Sequence, residues 1–290
     1  MSDTIFQTVV VAVFTILFVS CVYPFYYIFI ASISSPDALK KAMVTWRPLS
    51  PTIGNYLQVF RLPGLFRSFL VSVARTIVGT CVTMFFTSIL SYTLTKKELP
   101  ARKVFYTIAI ISMYVNAGLI PWYLTMRTLG LRDTFLVYIL PGAVSAYSMI
   151  LVKTYIESLS QGLEESAMID GAGYFQVYWR IIMPISKPVL AAIVVFTAVN
   201  QWNQWTDNLL LVNNTNLKTL QMTLLEYLNQ ASNVANMVKT GGINAVSGVA
   251  ISPFTLRMTI TMVVTIPILL VYPFMQKYFI SGIMIGAIKG

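Results

Sequence analysis

The chain has no histidine, two cysteines and only ten acidic side chains among 290 residues. Each shortage removes a class of chemistry. Without histidine there is no Ser-His or Cys-His nucleophile system, and two cysteines leave a transition-metal site short of ligands. Cys21 and Cys81 both fall in apolar runs, which predicts small core hydrophobes and no disulfide framework. A Gly-rich loop followed by Lys and Ser or Thr is missing, so the chain does not bind and hydrolyse ATP by that device. A pair of intramembrane aspartates suited to a membrane aspartyl protease is missing as well. No catalytic set and no metal site are predicted.

Charge of either sign is scarce. Charged residues make up 10% of the chain and hydrophobic ones 57%, against about 25% charged in soluble domains. The mean hydropathy is +0.73. A helix needs about 20 apolar residues to cross the hydrocarbon core, and six runs qualify: 5–33, 69–94, 104–124, 135–155, 189–212 and 258–279. The expected fold class is therefore all-α, a polytopic membrane protein of six transmembrane helices forming a single domain over 1–290. The first run carries Asp3 and no basic residue before it, is long, and lacks a small-residue cleavage site, so it is expected to remain as a span.

Between the fourth and fifth runs lies a polar stretch, ESAMIDGAGYFQVYWRIIMPISKP at 165–188, within a coupling segment drawn as 159–188. Helical spacing over 159–170 ends in the turn signal Asp170-Gly171. A second helix is predicted with an apolar stripe of Phe175, Tyr178 and Ile182, and Pro184 and Pro188 close it. A helix, a sharp turn and another helix between two spans present a rigid knob to a soluble partner. The competing reading is an amphipathic loop on the membrane surface, held by Trp179, Arg180 and Lys187.

This stretch resembles the coupling loop of the permease subunits of type I ABC importers of the oligosaccharide and maltose-like class. The matching residues are Glu165-Ser166-Ala167, Asp170-Gly171-Ala172, Pro184 and Pro188, with Ser166 standing where the family pattern has alanine. GLIPWYLTMRTLGL at 118–131, ILPGA at 139–143 and the terminal YPFMQKYFISGIMIGAIKG extend the likeness over nearly the whole chain. It is strongest to permeases for alginate, rhamnogalacturonan or aldouronate fragments. The resemblance implies a bacterial plasma-membrane subunit that catalyses nothing. It would work with a second, homologous permease, two ATP-binding subunits that hold ATP and magnesium, and an extracytoplasmic solute-binding protein delivering an oligosaccharide. It assigns the ATPase-coupling role to Glu165, Ser166, Ala167, Asp170, Gly171 and Ala172. No cofactor is expected on this chain.

The fifth run is interrupted by NQWNQWTDN at 200–208. On a continuous helix Asn200, Asn203, Gln204 and Asp207 share one face and Trp202 and Trp205 an adjacent one. Amides and a carboxylate pair with sugar hydroxyls, and indole faces stack on a pyranose ring. The alternative is an interfacial aromatic belt, which accounts for Trp205 but not for the amide face. Arg75, within the second run, must be paired, snorkel outward or line a wet cavity. These seven residues form the candidate substrate pathway.

Six spans place both termini on the side of the hairpin. The short loop at 95–103 packs four basic residues into nine positions, which favours a cytoplasmic hairpin and cytoplasmic termini. Residues 34–67 then become an external segment with a short helix or two. Residues 213–253 become a long external loop with a helix over 217–228 and a flexible Gly-rich part, and the tail from 276 turns cytoplasmic. The basic residues follow no stripe, so nucleic acid is not an expected partner. An ion-coupled secondary transporter or an importer of a non-sugar solute are the alternatives; no internal repeat of the kind such transporters carry is visible.

Overall fold

The computed structural model describes residues 2–40, 46–115, 117–160, 162–239 and 254–270. Every regular element among them is helical. In chain order these are α1 (Ser2–Ser32), α2 (Pro36–Lys40), α3 (Gly54–Phe60), α4 (Leu65–Thr95), α5 (Arg102–Tyr114) and α6 (Leu119–Thr128). Two 3-10 turns, Phe135–Tyr138 and Leu140–Gly142, lead into α7 (Ala146–Glu157). Then come α8 (Gly162–Ile169), α9 (Tyr174–Val177), a π turn at Tyr178–Ile182, α10 (Met183–Ile185), α11 (Lys187–Asn203) and α12 (Thr206–Leu211). A 3-10 turn at Thr215–Leu217, α13 (Leu220–Lys239) and α14 (Phe254–Leu270) complete the described chain.

By their internal contacts the residues form two units, one of Met1–Phe66 with Thr223–Pro267 and one of Arg67–Met222 with Ile268–Gly290. In the first unit, α1 ends where its carbonyls find a side chain. Asn55 on α3 donates to the carbonyls of Ser32 and Ser34 at 2.8 and 2.9 Å, and the Tyr56 and Ser32 hydroxyls lie 2.7 Å apart. Helix ends leave carbonyls without intrahelical partners, and one buried asparagine takes that of Ser32 together with that of Ser34 just beyond α1. Ile30, Ala31 and Leu39 form the small core beside this joint.

The second unit holds the broken helices. The expected count of six spans is not reached among the described residues. Among the described residues two helices are long and apolar enough to cross a membrane, or up to four if each bent pair counts as one. The third run is two helices, α5 and α6, because Val115 leaves the helix in an extended conformation. The fourth run bends by 45° between the 3-10 turns and α7, and α9–α10 meet α11 at 79°. Proline explains part of this pattern. Pro121, Pro141, Pro184 and Pro188 each stand in the opening turn of a new element, where a missing amide hydrogen costs no bond.

Other expectations shift in detail. Cys21 and Cys81 are exposed on α1 and α4 and lie outside any core, since a small apolar thiol sits equally well against lipid. The helix expected over 217–228 begins at Leu220, after the turn at Thr215–Leu217, and runs on to Lys239. Residues 240–253 of that loop, 271–279 of the sixth run and the tail at 276–290 lie outside the described residues.

Candidate functional site

The first candidate region is the hairpin α8–α9. Helix α8 ends in a pair of bonds that local sequence dictates. The Gly171 amide donates to the Met168 carbonyl at 3.0 Å and the Ala172 amide to the Ala167 carbonyl at 2.9 Å, a Schellman stop. That stop needs a residue in the left-handed region, and Gly171 has φ +86°. A Cβ there would meet nothing within 4 Å, so the requirement is conformational and not one of space. α6 ends in the same way at Gly130, φ 69°, where the Leu131 amide reaches the Met126 carbonyl at 3.1 Å. The Ser166 hydroxyl turns back to the Gly162 carbonyl at 2.6 Å and so leaves the helix unchanged.

The two faces of the hairpin differ sharply. Inward, Ala167, Met168 and Ala172 pack on a core of Tyr92, Val152, Ile156, Val177, Tyr178 and Ile182, joining the end of α4 to α7. The Tyr178 and Ser88 hydroxyls lie 2.8 Å apart, and burial holds the Tyr178 phenol above its ordinary pKa. It therefore stays neutral and able to bond. Lys96, just past α4, pairs with Glu164 and lies 4.1 Å above the Tyr92 ring. Outward stand Ser166, Asp170 and Gly171, with Ile169 85% exposed and Leu163, Phe175 and Trp179 exposed as well, while Glu165 is exposed at the rim of the pocket that holds Lys96. Of the expected apolar stripe, Tyr178 and Ile182 are buried and Phe175 is exposed. The π turn that follows inserts an extra residue per turn and keeps Tyr178 and Ile182 inward.

The second candidate region is the fifth run, and its geometry departs from a continuous amide face. α11 stops at Asn203, Gln204 is extended at ψ 128°, and α12 starts afresh at Thr206. The cause is Arg75 on α4, which is only 2% exposed. Its guanidinium grips the Asp207 carboxylate through both Nη atoms at 3.1 and 2.5 Å, donates to Gln201 Oε1 at 3.0 Å, and takes the Gln204 carbonyl at 3.0 Å. The Tyr138 ring lies 4.6 Å beneath it. In an unbroken helix the Gln204 carbonyl would accept from the Asn208 amide; here that amide bonds to Asp207 Oδ1 at 2.8 Å instead. Arg75 is therefore paired, neither snorkelling nor lining a wet cavity. A two-pronged charge-assisted contact is the strong form of such a pair.

The consequence is that the predicted residues divide. Asp207 turns inward to Arg75, while Asn200, Asn203 and Gln204 are exposed. Trp202 is buried edge-on to Phe69 at 6.1 Å, whereas Trp205 is 40% exposed. Asn200 and Gln201 also edge an open cleft of about 400 Å³ whose other walls include Thr83, Ser145, Thr197 and Phe196.

Sequence reasoning missed the seam on α4 that holds this together. Ser68, Ser72, Arg75, Gly79, Thr83, Thr87 and Ser91 recur every three or four residues and are all buried. Ser72 Oγ accepts the Leu220 amide at 2.8 Å, Thr83 Oγ1 lies 2.7 Å from the Gly142 carbonyl, and Ser91 donates to the Met149 carbonyl at 2.9 Å. Gly79 has no side chain because Gln201 Nε2 occupies the space 2.7 Å from where its Cβ would be. In lipid, apolar area gives helices no reason to associate, so small residues and interhelical hydrogen bonds carry the packing. The signal was present as a helical repeat of small and hydroxyl residues inside an apolar run. Asn208, fully buried and accepting the Thr219 amide at 2.8 Å, was missed likewise.

Comparison with known proteins adds to this geometry. Residues 84–285 match the family described as binding-protein-dependent transport system inner membrane component. Protein LplC of Bacillus subtilis (strain 168) is 37% identical over 92% of this chain and 89% of its own length. The polygalacturonan/rhamnogalacturonan transport system permease protein YtcP of the same organism is 31% identical over 100% of both chains. A chain from the crystal structure of a bacterial ABC transporter involved in the import of the acidic polysaccharide alginate superposes with a TM-score of 0.85. It is 31% identical and covers 96% of this chain and 98% of that one.

Proposed function

The chain belongs to the family of inner membrane components of binding-protein-dependent transport systems, with the type I ABC permease fold and no catalysis of its own, and we propose that it moves acidic oligosaccharides. In this reading it is one of two permease subunits, driven by two ATP-binding subunits and supplied by an external solute-binding protein. Hydrolysis takes place on the ATP-binding subunits. In this reading the chain crosses the bacterial plasma membrane six times, with both termini cytoplasmic.

The observation that carries the mechanism is the two-faced hairpin. Its outer face offers Glu165, Ile169 and Asp170 to a soluble partner, while its inner face is bonded to α4 and α7. A push on the hairpin is delivered to α4 at Ser88 and Lys96, and the buried seam passes it to the segments bonded along that helix. Closure of the ATP-binding subunits thereby rocks the helices, and the sugar leaves the binding protein for a path edged by Asn200, Gln201 and Asn203. Exposed amides and Trp205 supply hydrogen bonds and a stacking face for a sugar ring. The acidic substrate class is supported by the relatives, whose names cite polygalacturonan, rhamnogalacturonan and alginate.

The test is uptake of labelled oligogalacturonides by the assembled complex in proteoliposomes, with ATP inside. Uptake and hydrolysis should both require the loaded binding protein, and Ile169→Asp should abolish the stimulation in a complex that still assembles. Uptake that continues without the ATP-binding subunits would mean an ion-coupled transporter instead. ATP-dependent stimulation by a non-sugar solute alone would keep the family and overturn the substrate.

A further inference from the structure

Two pockets flank Arg102 where α4 ends and α5 begins, and their charges are opposite. The one beneath the hairpin gathers Lys96, Lys97 and Arg102 against Glu98, Glu157, Glu164 and Glu165. The other, of about 560 Å³, gathers Lys97, Arg102, Lys103 and Lys153 around Tyr106 and has no acidic lining residue. Two of its cations touch one carboxylate at its edge, Glu157, at 2.9 Å from Arg102 and 2.7 Å from Lys153. Four cations against one carboxylate leave a net of +3.

The backbone makes the excess worse. α5 opens with Arg102 and Lys103, has no acidic residue in its first turn and no side-chain cap, and follows Ala101 in the left-handed region at φ 56°. The N-terminus of a helix is its positive end and favours anions, so two cations there oppose the dipole. Lys153 adds a charge that is itself nine-tenths buried, held 4.5 Å from the Tyr106 ring. Among the described residues, Glu157 is the one carboxylate paired with these cations, and an anion from outside would offset the rest.

We propose that this pocket binds a phosphate group, that of an acidic phospholipid headgroup. The apolar surface beneath it selects the lipid over free phosphate. Val104, Phe105, Ile108 and Ile111 run down α5 from the pocket and are each more than half exposed, a track on which acyl chains can lie. Basic pockets between transmembrane helices at the membrane edge suit such headgroups. Such a site requires only that the chain be embedded in lipid and is independent of what the chain transports.

The test uses the assembled complex in phosphatidylcholine nanodiscs, with and without phosphatidylglycerol. Native mass spectrometry should show a phosphatidylglycerol retained by the wild type and lost from Lys97→Gln/Lys103→Gln, while Arg61→Gln, a cation remote in sequence, retains it. Phosphatidylglycerol should raise the melting temperature of the wild type, and added salt should erase the shift. That salt-dependent shift needs no variant, so it stands even if the double variant folds poorly. Equal retention by the wild type and a folded double variant would overturn the site. A melting shift produced equally by inorganic phosphate in phosphatidylcholine would overturn the lipid as its source.

Discussion

Helices α1 and α4 have the same length, 31 residues, and opposite surroundings. The apolar window of α1 has a mean hydropathy of 2.5 and none of it is buried within the chain; that of α4 has 1.8 and 28% is buried. Both contain hydroxyl residues. On α1, Thr8, Thr15 and Ser20 bond back to their own helix, whereas on α4 Thr83, Ser88 and Ser91 also reach other segments. The difference teaches that hydropathy selects a span and that its polar seam selects its neighbours. Lipid is as apolar as leucine, so a helix without a seam gains little by leaving it.

The comparison breaks most severely at the ion pair. Arg75→Leu or Asp207→Leu alone strands a buried charge and should cost about 3–5 kcal/mol, read as a fall in the unfolding midpoint of the purified complex. The double leucine variant should recover much of that loss; single variants no worse than the double would remove the pair as the clamp of α4. Gly79→Ala is next, since its Cβ drives Gln201 off Arg75, at a cost of about 1–3 kcal/mol. Adding Gln201→Ala should relieve the clash, and a Gly79→Ala protein as stable as wild type would show that the seam is loosely packed.

At the hairpin, Gly171→Ala places a side chain in the left-handed region at about 1–2 kcal/mol. ATPase stimulation by the loaded binding protein should fall, and Gly171→Asn, which tolerates that region, should restore part of it. If alanine and asparagine behave alike, the turn is not set by φ. A smaller effect follows acid. Asp133 accepts the amides of Asn213 and Asn214 at 2.5 and 2.9 Å, which holds its carboxyl below the ordinary range. Its contribution is therefore complete above the ordinary carboxylate pKa and lost as pH falls through the lowered one. The protection of the Asn213 and Asn214 amides, taken relative to their intrinsic exchange rate at each pH, should fall on acidification in the wild type, and Asp133→Asn should abolish that dependence. The smallest effect belongs to α1: Phe14→Leu, on its exposed surface, should change the midpoint by less than about 0.5 kcal/mol, and a larger loss would mean that α1 packs as tightly as α4.

Much of the hairpin was legible in the residues because its bonds are short-range. Met168 to Gly171 and Ala167 to Ala172 close within one turn, so Asp-Gly after a helical pattern announces the stop. The exposure of Phe175 was not legible, because spacing gives its place in an apolar stripe while tertiary packing decides that Tyr178 and Ile182 enter the core and Phe175 does not. The seam on α4 was equally visible in spacing, but its hydroxyl residues are unremarkable unless membrane packing is weighed.

Composition and local pattern by themselves determined that this chain is helical, that it lives in a membrane, and that a two-helix knob with a glycine stop lies between its spans. Those properties depend on hydropathy, on i to i+5 bonding and on the backbone freedom of Gly171. Only the tertiary structure decided where the fifth run breaks and which way its polar residues face. A guanidinium 132 residues from Asp207 outbids the helix for the Gln204 carbonyl, because a buried charge gains more from a fixed set of acceptors than a helix loses by giving up one turn.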